Sequence, residues 1–131
     1  MRARFDQFSR EQYLNLPERN RMVDDILNII LNAFGTLDAL IFVGSFAKKF
    51  PEKNLAIKDV DIEVKNDEVF EFVKHLHRYT NYRVIYDKYS ERVIVSSPFY
   101  LVEFWNNKDV TNFKKTGKIK IKDYARRIEF K

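Results

Sequence analysis

Ile41-Phe42-Val43-Gly44-Ser45 and, after thirteen intervening residues, Asp59-Val60-Asp61-Ile62-Glu63-Val64 are the two stretches whose reading decides the fold. In the first, residues 38–43 form a continuous apolar run bounded by Gly35 and Gly44, which predicts a buried strand. In the second, acidic and apolar residues alternate strictly. That pattern predicts a half-buried strand with Asp59, Asp61 and Glu63 in an outer acidic row and Val60, Ile62 and Val64 turned inward.

Helices flank these strands. Pro17 suits a first helical position, where no amide donor is needed. Met22, Val23, Ile26, Ile29, Ile30 and Ala33 then repeat at helical spacing, so a helix is predicted from Pro17 to Phe34 with Gly35 as its C-cap. Asn66 is the expected N-cap of a second helix over 66–78, with Asp67 and Glu68 in its first turn and a core stripe of Val69, Phe72, Val73 and Leu76. His75 and His77 lie two apart on that helix, do not share a face, and read as surface residues. Residues 82–86, 92–96 and 100–105 are strand candidates, the last two a hairpin around Ser97-Pro98. Residues 45–50 are expected to make a short helical turn ended by Pro51. The segment 118–122 alternates Lys and Ile as a strand would, although 121–130 also reads as a closing helix. Residues 5–16 have no clean period and read as a short helical lead-in. The order of elements predicts an α+β (mixed α/β) fold, a mixed sheet with helices packed on it.

At 131 residues, 45% apolar and 15% aromatic, the chain suits one domain over 1–131 with a packed core, and residues 108–131 read as a basic C-terminal extension. The absence of cysteine excludes disulfides and thiolate metal sites and fits a reducing, cytoplasmic setting. Arg2, Arg4, Asp6 and Arg10 interrupt any apolar run at the start, so no secretory signal is expected. The apolar stretches are too short to span a bilayer. A net charge of +5 favours anionic partners weakly, since many soluble proteins carry as much.

Carboxylates two apart on a strand lie about 7 Å from each other and repel; a divalent cation reverses that penalty. The same row could be the solvated face of an edge strand. A glycine at the end of the buried strand permits a sharp turn and close approach to a phosphate, and Ser45 adds a hydroxyl.

Taken together, Ile41 to Ser45 followed by Asp59 to Ile62 resemble the signature of the nucleotidyltransferase superfamily that includes DNA polymerase beta. The resemblance covers residues 39–64 well and the helix–strand order of 17–105 loosely. It implies that Gly44 and Ser45 hold a nucleoside triphosphate and that Asp59 and Asp61 bind two magnesium (or manganese) ions. A third carboxylate from a later strand completes such sites. Glu103, among the apolar residues of Leu101-Val102-Glu103-Phe104-Trp105, is the expected one, although it could equally be an outward-facing strand residue; Asp87 is a weaker candidate. Many minimal members continue with a small residue, an arginine and a glycine. Here Phe46-Ala47-Lys48-Lys49 follows, and Lys48 supplies phosphate charge without arginine's bidentate fork. The implied reaction transfers a nucleoside monophosphate to a hydroxyl of a protein, RNA or small molecule and releases pyrophosphate. The implied partner is a helical protein of the HEPN type or a second copy of the chain.

Two other readings compete. Glu63-Val64-Lys65, with Asp59, Asp61 or Glu52 as companion acid, fits the Glu-x-Lys half of a metal-dependent nuclease motif. An inactive nucleotide- or nucleic-acid-binding member is the third, drawing on Lys114, Lys115, Lys118, Lys120, Lys122, Arg126 and Arg127 with Phe113 and Tyr124 interleaved. Trp105 and the phenylalanines read as core.

Overall fold

The computed structural model describes residues 17–44, 59–106 and 118–120. Helix α1 (Pro17–Phe34) leads into strands β1 (Leu40–Val43) and β2 (Asp59–Val64), helix α2 (Asp67–Val73) and a 3-10 turn (Leu76–Arg78). Strands β3 (Arg83–Asp87), β4 (Arg92–Ser96), β5 (Leu101–Asn106) and β6 (Lys118–Lys120) follow. The six strands form one mixed sheet in the order β3-β4-β5-β2-β1-β6. The architecture is α+β. The segments 5–16, 45–58, 107–117 and 121–131, and the sequence expectations placed on them, lie outside the described residues.

The strict alternation of β2 produces a two-faced sheet. Val60, Ile62 and Val64 join Leu40, Phe42, Val93, Val95, Val102 and Phe104 on one face. Met22, Val23, Ile26, Leu27 and Ile30 of α1 and Val69, Phe70 and Val73 of α2 close over them as a single core. Each such side chain contributes roughly 1.5–3 kcal/mol by leaving water. Asp59, Asp61 and Glu63 occupy the opposite face, as the pleat requires.

Several local expectations hold and others shift. Gly35 ends α1 at φ 77°, its amide bonded to Leu31 O at 2.7 Å. The Asn66 side chain accepts from the amides of Glu68 and Val69 at 2.8 and 3.1 Å, a cap worth about 1 kcal/mol. In α1 the buried stripe takes Leu27 rather than Ala33, which is exposed. In α2 it takes Phe70 rather than Phe72; Phe72 instead packs edge-on against Phe34 and stacks on Tyr79. The helix expected over 66–78 stops at Val73 and tightens into the 3-10 turn, so His75 and His77, both exposed, come within 6.0 Å ring to ring. Asp87 and Arg92 close a β3–β4 hairpin that the sequence reading did not single out. The alternating Lys and Ile of the basic segment form a strand, β6, antiparallel to β1.

Candidate functional site: a glycine and two carboxylates on adjacent strands

Strands β1 and β2 run antiparallel with Val43 opposite Asp61, which brings the end of β1 level with the middle of the acidic row. Gly44 follows with φ 72°, in the region where side chains are strained. A Cβ on it would lie 2.5 Å from Asp61 Oδ2 and 3.3 Å from Asp61 Cβ and Cγ. The missing side chain is therefore what lets the backbone close onto this carboxylate.

On the other side of β2, strand β5 runs parallel, with Asp61 paired to Glu103 and Glu63 to Trp105. Glu103 thus lies on the acidic face beside Asp61, the outward side of an alternating strand whose Val102 and Phe104 enter the core. Burial, a hydrogen bond to Asp61 and the charge of Asp61 push the Glu103 carboxyl up to about 7, while Arg92 pulls the other way. Arg92 Nη1 bonds Glu103 Oε1 at 2.6 Å. The guanidinium also lies 5.1 Å from the Trp105 ring centre, and Trp105 Nε1 donates to Asp61 Oδ1 at 3.1 Å. Arg92 and Trp105 therefore orient the two carboxylates, a role that the sequence reading did not give them. Trp105 is only partly buried, on the acidic face with Ile41 and Val43, not in the main core as expected. Its parity with Glu103 on β5 was the available signal.

The acidic row is graded. Asp59 is exposed, Asp61 intermediate and Glu63 buried at 1% exposure, so the outer row expected from the alternation holds only at its first end. Asp87 is not part of the site. It lies on β3, three strands from β2 in the sheet order, accepts from Tyr89 N at 3.0 Å and faces Arg92 Nε at 3.8 Å. Hydrogen bonds from Ser90 lead the influences that hold its carboxyl below the usual range. Lys65 is exposed and its amide bonds Ala39 O at 2.8 Å. It stands four residues beyond Asp61, about 13 Å along the strand. Ser45, Lys48 and Glu52 lie outside the described residues.

Among the described residues no three His, Cys, Asp or Glu side chains converge on a metal position. The donor chemistry still fits a hard cation. Asp59, Asp61 and Glu103 offer oxygen ligands on adjoining positions, and the burial and the neighbouring carboxylate charge that raise Glu103 are what a divalent ion offsets.

No helix among the described residues is long and apolar enough to cross a membrane. In comparisons with known proteins no family model matches the chain, and no curated protein or solved structure does either.

Proposed function

We propose that the protein is a metal-dependent nucleotidyltransferase of the DNA polymerase beta-like kind. The observation that carries this reading is the close approach of Gly44 to Asp61 beside Glu103: a glycine that follows β1 meets two carboxylates from β2 and β5. In the chemistry proposed, the acceptor hydroxyl attacks the α-phosphorus of a nucleoside triphosphate. A new phosphoester bond forms, the bond between the α-phosphorus and the bridging oxygen of the β-phosphate breaks, pyrophosphate leaves and the acceptor hydroxyl's proton passes to solvent water.

Asp59, Asp61 and Glu103 would hold magnesium or manganese, which neutralises phosphate charge and lowers the pKa of the attacking hydroxyl. The protein's own residues provide positioning. Gly44 admits the phosphates near Asp61, the Trp105 indole fixes one Asp61 oxygen, and the Arg92 guanidinium orients Glu103. Preorganised charge of this kind supplies most of the catalysis in phosphoryl transfer. Ser45 and Lys48 belong to the same proposal as triphosphate contacts. A HEPN-type helical protein or a second copy of the chain is the proposed partner.

The test is incubation with each of four α-labelled nucleotides and magnesium, with and without candidate acceptors. Transfer of label with pyrophosphate release is expected. It should be abolished by Gly44→Val and little changed by Lys65→Ala. Magnesium-dependent nucleic-acid cleavage that needs Lys65 and tolerates Gly44→Val would establish a nuclease instead. Folded protein that binds nucleotide without transferring label to any acceptor would indicate an inactive member.

A further inference from the structure

Among the described strands, β3 stands at one end of the sheet and pairs with β4 alone. Its other side carries a row of backbone donors and acceptors, which proteins ordinarily blunt with lysine, proline, a bulge or a very short strand. Among the described residues none of these occurs in β3. Arg83-Val84-Ile85-Tyr86-Asp87 holds five consecutive residues in unbroken register with β4, and Ile85 and Tyr86 are 42% and 39% exposed.

The strand is also complementary to itself. If two copies pair antiparallel about Ile85, Arg83 of each falls opposite Asp87 of the other, Val84 opposite Tyr86, and Ile85 opposite Ile85. Both charged positions meet an opposite charge, twice by symmetry, and each apolar residue meets another on its own face. The other end of the sheet among the described strands behaves differently. Strand β6 reads Lys118-Ile119-Lys120, so the same operation there would set lysine against lysine. Charge complementarity thus selects β3, and it selects a second copy of this chain as occupant.

We propose that the protein forms a symmetric dimer through antiparallel β3–β3 pairing centred on Ile85, which makes one continuous sheet of twelve described strands from two copies. Glu103 and Asp61 lie two and three strands from the junction, on the same face of both copies, while Asp87 at the junction faces Arg92 at 3.8 Å.

Sedimentation equilibrium of the intact chain should give a dimer. Arg83→Glu should weaken it on the order of tenfold or more, since both cross-strand charge pairs become repulsive, while Arg83→Lys should preserve it. Geometry is read separately. The chain has no cysteine, and residues directly opposite across an antiparallel pair have Cα atoms about 4.5–5.5 Å apart, within disulfide reach. Under a mild oxidant, Ile85→Cys should therefore cross-link rapidly to a dimer. Tyr89→Cys, at a residue 93% exposed in the hairpin loop, should cross-link slowly. The proposal is overturned by a monomer at every attainable concentration, by a dimer indifferent to Arg83→Glu, or by equal cross-linking of the two cysteine variants.

Discussion

Gly44 and Asp61 stand so close that a methyl group on the glycine would come 2.5 Å from Asp61 Oδ2, on a backbone at φ 72°. The carboxylate can occupy its position only because residue 44 has no side chain. Gly44→Ala should therefore displace Asp61 and destabilise the fold by about 1–3 kcal/mol. Denaturant melts read the stability, and titration with a nucleoside triphosphate and magnesium reads the site. Unchanged stability together with unchanged nucleotide affinity would show that this contact is incidental.

Asp61→Asn should separate binding from folding. The amide oxygen still accepts from Trp105 Nε1, so the sheet is kept and stability should change by less than about 1 kcal/mol. The negative charge that helps to raise Glu103 is lost while its burial remains, so the Glu103 carboxyl should titrate lower than in the native protein. Carbon-detected titration of the Glu103 carboxyl checks this. Metal-dependent nucleotide binding should vanish in the same variant; persistence of that binding would remove Asp61 from the proposed site.

The elevated Glu103 carboxyl sets the pH behaviour. Below the ordinary glutamate range both folded and unfolded chains are protonated there and folding is indifferent to pH. Between about 4.5 and 7 the unfolded chain loses this proton first, so Glu103 lowers stability as pH rises through that window. Glu103→Gln should stabilise the metal-free protein by about 1–3 kcal/mol at pH 8 and give nothing at pH 4. Metal affinity should run the opposite way, rising from pH 6 to pH 8 with proton release, because the ligand must ionise. A flat metal-affinity profile over that range would remove Glu103 from the ligand set.

Trp105 is the one tryptophan in the chain, and its indole donates to Asp61. Its fluorescence should respond to manganese or magnesium with nucleotide in the native protein and stay silent in Asp61→Asn. Trp105→Phe should retain the ring against Arg92 yet free the Asp61 oxygen, weakening metal-dependent nucleotide binding about three- to tenfold. A native fluorescence insensitive to saturating ligand would place the binding event elsewhere.

The sequence made the frame of this site legible because its strongest signals are local. Period and punctuation placed α1 between Pro17 and Gly35, and alternation placed β2 at Asp59–Val64. It placed Phe72 and Ala33 in the core where the structure buries Phe70 and Leu27, since both members of each pair are apolar and only the packed sheet fixes the helix's rotation. It also left Glu103 open. Every neighbour of that residue on β5 is apolar, so alternation alone could not say which face it takes; the parallel pairing with β2 settles that. Arg92 escaped notice because its contact with Glu103 depends on the β4–β5 register, a non-local fact.

Among the described strands the parallel pair is β2 with β5, and it joins Asp61 to Glu103 across forty-two positions of chain. The hairpins β3–β4 and β4–β5 can close early, since little chain entropy is lost in a short loop. The β2–β5 pairing closes a much longer loop, and non-local pairings of this kind are slow to form. The two carboxylates therefore meet late in folding. A nascent or partly unfolded chain has the motif but not the site, so the ability to bind metal should appear together with completion of the native sheet.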